Sequence, residues 1–322
     1  MNTRGAGSRQ TTVLVTGGAG YIGCVVVPML LEAGYKVRVL DSLRKGGVGL
    51  LACLSNPNAE LVRGDIRDPS AVKHALRDAD VAVHLAAIVG YPACAKDPEL
   101  ARTTNVDGTR NLVRHSSSHQ VIIYPSSLSN YGTVPDNICT EEMTPVPITL
   151  YGITKMEGER ALLDRGNAVV FRPATAFGLS PQMRLDLLFN EFVFRALKEK
   201  RLVVYEPSHM RAFIHVRDLG RAILFALGNA ERMLGQVYNL GSESLNLRKG
   251  ELAERIRRKI EFTLDISDAG EDPDKRNYTV SFSKLRRAGF EAAISIDEGI
   301  DELVRGLQVI DVIDSFSNVA HV

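Results

Sequence analysis

The chain has 322 residues, 45% of them hydrophobic and 24% charged, with 27 glycines and 13 prolines. This composition excludes a disordered, collagenous or coiled-coil protein, and the length provides for about two domains. Lys plus Arg number 39 against 38 Asp plus Glu, so a net charge of +1 gives no bulk attraction to nucleic acid or anionic lipid.

Residues 1–11 are polar, lack the apolar core of a signal peptide and read as a disordered tail. The most apolar run, residues 25–31, contains Pro28 and falls far short of the roughly 20 residues that cross a bilayer, so no membrane partner is expected. Cys24, Cys53, Cys94 and Cys139 are too widely spaced for a zinc or redox pair and read as thiols in a reducing cytoplasm. The pattern predicts strands over residues 13–15, 37–40, 61–62, 81–85, 121–124 and 168–171. Between the later strands it places helices at 68–77, 105–116 and 151–165. Alternation of this kind requires right-handed crossovers and a parallel sheet wound on both faces. The fold class is therefore α/β, a Rossmann-type doubly wound sheet with a smaller C-terminal substrate domain. We expect 12–172 to form the dinucleotide-binding domain, with 213–240 returning to it, and 173–212 plus 241–322 to form the second domain. In that second part the pattern predicts a helix over 185–199, short strands at 203–205, 213–216 and 237–240, and a helix over 248–260. Arg255, Arg257, Arg258 and Lys259 make the last helix basic, as a solvated helix surface is.

Thr16-Gly17-Gly18-Ala19-Gly20-Tyr21-Ile22-Gly23 lies between the first strand and a helix. Glycine permits a tight turn and close approach of backbone to a pyrophosphate, and the helix N-terminus offers N–H donors and a positive dipole end. Asp41 ends the second strand, where a carboxylate accepts hydrogen bonds from an adenosine ribose and repels a 2′-phosphate. The cofactor expected is NAD; Arg44 and Lys45 stand close enough to weaken the preference over NADP. Pro28 falls inside the helix that follows, where proline is costly.

Tyr151-Gly152-Ile153-Thr154-Lys155 puts a phenol and an ammonium one turn apart on one helix face. A tyrosine near its reference pKa of about 10 is a poor base at neutral pH, and a neighbouring cation favours the phenolate. Such a pair can take a proton from a substrate hydroxyl. Upstream, Ser126-Ser127 leaves the fifth strand at the carboxyl edge of the sheet, a binding position. His84 and His215 sit in or beside apolar strands with no second ligand at metal spacing, so they read as satisfied core histidines and no metal is expected.

These signals, in this order, resemble the extended short-chain dehydrogenases/reductases of the nucleotide-sugar epimerase/dehydratase type, over residues 12–308. Gly64-Asp65-Ile66, His84-Leu85-Ala86-Ala87, Asn105-Val106, Arg172-Pro173 and the 213–218 stretch carry the resemblance alongside the motifs above. It implies that Gly17, Gly20, Tyr21, Ile22, Gly23, Asp41, Ser42, Asp65, Ile66, Leu85, Ala86, Ala87 and Asn105 surround the cofactor together with Tyr151 and Lys155. It implies Ser127 as the hydroxyl that binds substrate, Tyr151 as acid/base and Lys155 as the group that depresses its pKa. A nucleotide-diphosphate sugar is the implied substrate, touched by Ser126, Thr175, Arg184, Asn190, Arg211 and Asp274. Arg184 and Asn190 are placed on the long helix. The 4,6-dehydratases carry an Asp-Glu pair directly after this Ser/Thr, where the present chain has Leu128 and Ser129. What remains is oxidation and reduction at one carbinol: a 4-epimerase, with a 4-dehydrogenase or 4-ketoreductase as the alternative and a non-catalytic NAD-binding regulator as a third reading. Residues 88–92, 183–187 and 270–276 resemble enzymes acting on nucleotide-activated heptoses. The family also implies a homodimer through helices 105–116 and 151–165, with Met156, Ala161, Leu162 and Leu163 as apolar contacts.

Overall fold

Seven parallel strands form the centre of the protein. The computed structural model describes residues 9–134, 138–267, 277–311 and 316–322. Named by first residue, the strands lie in the order Gln236, Ala168, Val121, Val81, Thr12, Lys36, Ala59, and every neighbouring pair is parallel. Chain order thus runs outward in both directions from Thr12–Thr16, and the switch point lies between that strand and Val81–His84. A sheet of this kind opens a crevice at the carboxyl ends of the strands beside the switch point. Both faces are covered by helices, which explains the uninterrupted apolar runs. Val13, Leu14 and Val15 are fully buried, as are Ala82 and Val83, and Ile122 and Ile123.

The second part of the chain builds a smaller core beside the carboxyl edge. Strand Met210–His215 pairs in parallel with Thr175–Phe177 and antiparallel with Asn246–Arg248. Phe177 stacks on Phe189 of helix Leu188–Lys198 at 4.1 Å between ring centroids, and both meet Phe213 edge-on. Strand Arg201–Tyr205 pairs with Thr263–Ser267. The return to the large sheet begins later than residue 213. Helix Val216–Met233 and strand Gln236–Leu240 make it, while the 213–215 segment stays in the small sheet.

Three local features differ from the expectations. The 105–116 helix is the end of a longer helical rod that starts at Pro98, passes through a π-helical turn at Thr103–Asp107 and finishes as Gly108–His115. The helix expected from 185 begins at Leu188, because Leu187 is extended (φ −84°, ψ 127°); in the segment before it Arg184 and Asp186 pair at 3.0 Å. Helices Val216–Met233 and Ile296–Gly306 are additional. Helix Gly23–Glu32 runs through Pro28, for which the structure offers no functional reason. The basic helix, Lys249–Arg257, and the residues just after it are tied to neighbouring acids: Arg255 to Asp297 at 3.2 Å and Lys259 to Asp301 at 2.8 Å.

Candidate active site

Two recesses meet at the carboxyl edge of the sheet. The smaller, about 190 Å³, is walled by the glycine loop, by Asp41 and Ser42, by Asp65 and Ile66, and by Leu85, Ala86 and Ala87. Gly17 has φ +72°, and a Cβ there would lie 2.6 Å from the Ala86 nitrogen, so only glycine fits. A Cβ at Gly23 would lie 2.4 Å from the Gly18 carbonyl oxygen, which lets the helix start directly against the strand exit. No side chain caps helix Gly23–Glu32; the Cys24 N–H is taken by the Gly20 carbonyl at 2.9 Å, and Ile22 and Gly23 at the helix start line the cleft. Asp41 accepts from the backbone N–H groups of Ala19 at 2.9 Å and Leu43 at 2.8 Å. Burial raises the pKa of its carboxyl, and those two N–H groups oppose the rise. A glycine cradle, an uncapped helix end and a carboxylate at the far end fit a dinucleotide with a free ribose 2′-hydroxyl.

The larger recess is a cavity of about 800 Å³. Ser126, Ser127, Tyr151, Lys155, Thr175, Arg184 and Arg211 all line it, so these expected residues share one cavity. Helix Leu150–Arg165 carries Tyr151 and Lys155; Thr149 caps it by accepting from the Gly152 N–H at 3.2 Å, and Gly166 ends it in a left-handed conformation. Ser127 caps the short helix Leu128–Tyr131 by accepting from the Ser129 N–H at 3.0 Å, and its hydroxyl donates to the Ser129 Oγ at 3.0 Å. That cap fixes the backbone on which the Ser127 side chain faces the cavity. Lys155 is only 4% exposed, with its ammonium 4.0 Å from the centre of the Tyr124 ring. Burial pulls its pKa down to about 7, against the pull of Glu159 and Cys94. A lysine so poised can change protonation during a proton transfer near neutral pH.

The structure moves Arg184 and Asn190 from their expected places and sets Asn105 behind the site. Asn105 stands one layer behind the cleft. Its amide donates to the Ile88 carbonyl at 2.9 Å and to Thr154 Oγ1 at 3.0 Å, and accepts from the Ile88 N–H at 2.7 Å, tying the 85–89 loop to helix Leu150–Arg165. Arg184 precedes the long helix but does reach the cavity wall. Asn190 does not reach it. It is fully buried, accepts from the Gly178 N–H and donates to the Arg184 carbonyl and the Tyr21 hydroxyl, so packing consumes its amide. Asp274 lies outside the described residues. His84 is buried between the hydroxyls of Thr16 at 2.7 Å and Thr109 at 2.9 Å, and burial pulls its pKa down to about 3. His215 is buried against Glu302 at 3.1 Å. Among the described residues no group of His, Cys, Asp and Glu is arranged to hold a metal ion.

The sequence did not single out a buried ion pair beneath the site. Glu159, one turn beyond Lys155, receives the Arg172 guanidinium at 2.6 and 3.2 Å and the Asn130 amide at 3.0 Å. Asn130 also donates to Ser126 Oγ at 3.0 Å, and Arg172 donates to the Tyr131 hydroxyl at 2.9 Å. Helix Leu150–Arg165 and the segment that presents Ser127 are thus bolted to one buried charge pair. Its one legible signal is the spacing of Tyr151, Lys155 and Glu159 at successive i+4 positions on a helix. Lys249, buried in the cavity wall and 3.4 Å from Glu206, was likewise not singled out.

Fold and site together define a protein with a glycine-walled cleft of dinucleotide-binding type, opening beside a cavity lined by a phenol, an ammonium and serine hydroxyls. The model of the NAD dependent epimerase/dehydratase family matches residues 13–241, and the chain belongs to that family. It is 30% identical over 304 residues to the low-salt glycan biosynthesis protein Agl12 of Haloferax volcanii, covering 91% of this chain and 97% of the relative. It is 29% identical to a dTDP-glucose 4,6-dehydratase of Streptomyces niveus, covering 91% of each. The structure of a Thermus thermophilus UDP-glucose 4-epimerase in complex with NAD superposes with a TM-score of 0.80 at 25% identity, covering 93% of this chain and all of that one. Family membership makes the protein an NAD-dependent enzyme. No helix among the described residues is long and apolar enough to cross a membrane.

Proposed function

We propose that the protein is a nucleotide-sugar 4-epimerase that oxidises the C4 hydroxyl of its substrate to a ketone and reduces it again from the other face. Relatives of both epimerase and dehydratase names match, so the choice between them rests on the site. The observation that carries it is the absence of a carboxyl pair beside Ser127. Position 128 is a buried leucine, and position 129 is a serine whose hydroxyl accepts from Ser127. The carboxylates on the cavity wall are each paired with arginine: Asp186 with Arg184, and both Glu191 and Glu199 with Arg195. Elimination of water across C5 and C6 needs an acid and a base of its own, and among the described residues the site does not supply them.

NAD would be held by the glycine loop, Asp41 and the 85–87 segment, and when bound it would supply a hydride acceptor and donor. Tyr151 takes the proton of the C4 hydroxyl and gives it back after the ketone has turned over. Ser127 hydrogen-bonds the same oxygen and holds it in line with the phenol. Lys155 favours the phenolate by charge and can pass on the proton. Arg211, buried in the cavity wall, suits the diphosphate because a guanidinium binds phosphate in a bidentate manner. Ser126, Thr175 and Arg184 complete the substrate contacts. A 4-dehydrogenase would use the same groups and differ in releasing the ketone; a nucleotide heptose would enter the same cavity. Epimerisation requires conversion with trace NAD and no net reduction of it, and stoichiometric consumption of NAD by a nucleotide hexose or heptose would overturn the proposal in favour of the dehydrogenase.

In this reading the enzyme works in the cytoplasm as a homodimer. Leu162, expected at the dimer contact, instead packs under the sheet with Ala168 and Val170. Leu163 is half-buried against the same core, so the proposed contact rests on Met156 and Ala161, also half-buried in one protomer, and on the helical rod ending in Gly108–His115.

A further inference from the structure

The cofactor cleft has a wall that the dinucleotide-binding domain does not supply. Residues 316–322 lie across the junction of the two recesses, with Asn318 lining the cofactor cleft and Val319 lining the substrate cavity. The segment is fastened on both sides. The Leu185 N–H donates to the Phe316 carbonyl at 3.2 Å, and the Asn318 N–H donates to Asp186 Oδ2 at 3.1 Å, both on the substrate side. On the dinucleotide side the Asn318 amide donates to the Val89 carbonyl at 2.8 Å, and Lys96 donates to the Val319 carbonyl at 2.8 Å. The last two fastenings are the cations that follow Asp41. Lys45 donates to Asn318 Oδ1, and Arg44 donates to the His321 carbonyl at 3.3 Å.

Arg44 and Lys45 are the residues that would otherwise offset Asp41 and accept a ribose 2′-phosphate. Both line the cleft together with Asp41. The groups around Lys45 are mixed in sign. Asp41 and Asp186 favour its charge, Arg184 disfavours it, and burial outweighs them, lowering its pKa to about 8. We propose that Asn318 is a cofactor-selectivity residue: by engaging the Lys45 ammonium it withholds from the cleft the cation that a 2′-phosphate needs, and so enforces NAD over NADP. A phosphate entering at Asp41 meets the Asp41 and Asp65 carboxylates, Arg44 held to the His321 carbonyl, and a lysine already committed to Asn318. To recruit that lysine it must break a bond to a residue that is 6% exposed and held at two further points, its N–H on Asp186 and its amide on the Val89 carbonyl.

The inference rests on the assignment of this cleft to the dinucleotide, and calorimetric titration separates the two. NAD and NADP are titrated into the full chain freed of nucleotide, as wild type and as the variants Asn318→Ala, Asn318→Asp and Asn318→Ala with Lys45→Met. In wild type NAD binds and NADP binds more weakly. Asn318→Ala frees Lys45, and the NADP-to-NAD affinity ratio rises about fivefold or more, the value of one charge-assisted hydrogen bond. Asn318→Asp holds the ammonium more firmly, and the ratio falls or stays low. The double variant returns to the wild-type ratio, because the cation that made the gain is gone. A ratio within twofold of wild type for Asn318→Ala, or a gain that persists without Lys45, overturns the role of Asn318. Failure of wild type to bind either dinucleotide overturns the assignment of the cleft itself.

Discussion

Glu159→Ala is the substitution that should cost most for its distance from the substrate. The carboxylate and the Arg172 guanidinium meet at 2.6 Å, and each side chain is only 4% exposed. Removing one partner of a buried pair leaves the other charge desolvated, at a cost of about 3–5 kcal/mol. Among the described residues Arg172 would keep only the Tyr131 hydroxyl as an acceptor, while Asn130 would lose the carboxylate that orients it toward Ser126. A loss of this size is a large part of the roughly 5–15 kcal/mol that native proteins hold in reserve. Urea unfolding read by circular dichroism measures it, alongside Glu159→Leu combined with Arg172→Met. Replacing both charges removes the unpaired ion, so the double variant should unfold at a higher urea concentration than Glu159→Ala. A single-variant loss below about 1 kcal/mol would mean that water reaches the pair, and the reasoning from burial would fail.

Three further outcomes follow from the same structure. Tyr151→Phe should keep NAD binding and lose on the order of 10²–10⁴-fold in turnover, the usual worth of general acid–base catalysis; activity within twofold of wild type would remove Tyr151 from the chemistry. His84 stays neutral in the fold, with a pKa of about 3, while the unfolded chain binds its proton near 6.5. Stability should therefore fall as pH drops from 6.5 toward 3, by about 1.4 kcal/mol between pH 7.5 and 5.5 from this residue. Urea unfolding of wild type and His84→Gln at both pH values checks this, and an equal fall in the variant would contradict it. Sedimentation at micromolar concentration should show a dimer, and a single monomer boundary would refute the helix-pairing proposal.

The dinucleotide-binding part was legible because each of its signals is local. Apolar runs of strand length, glycines where backbone must approach backbone, and Asp41 at a strand end are read within a few residues. Helix Val216–Met233 was missed although Leu219, Ala222, Ile223 and Ala226 follow helical spacing and are fully buried. Helix Ile296–Gly306 was missed although Ser295 and Glu298 form the reciprocal cap that announces a helix start. The Glu159–Arg172 pair joins a helix to a strand exit, and buried charges look like surface charges in a sequence. Arg184 and Asn190 fit helical periodicity equally well, yet the pairing of Arg184 with Asp186 accompanies an extended segment ahead of the helix and leaves Asn190 to pack inside. Asn318 carries no local signal, since its partners lie 132 to 273 residues away.

The most direct test of the central claim is NMR of the sugar after incubating the protein in D₂O with nucleotide hexoses and heptoses and trace NAD. Inversion at C4 with the C4 hydrogen retained, C5 still protonated and no net reduction of NAD is the predicted result, because the hydride never exchanges with water and, among the described residues, the site has no acid/base pair to strip C5. Deuterium at C5 together with loss of the 6-hydroxyl would show a dehydratase, and the reading of Leu128 and Ser129 would be wrong.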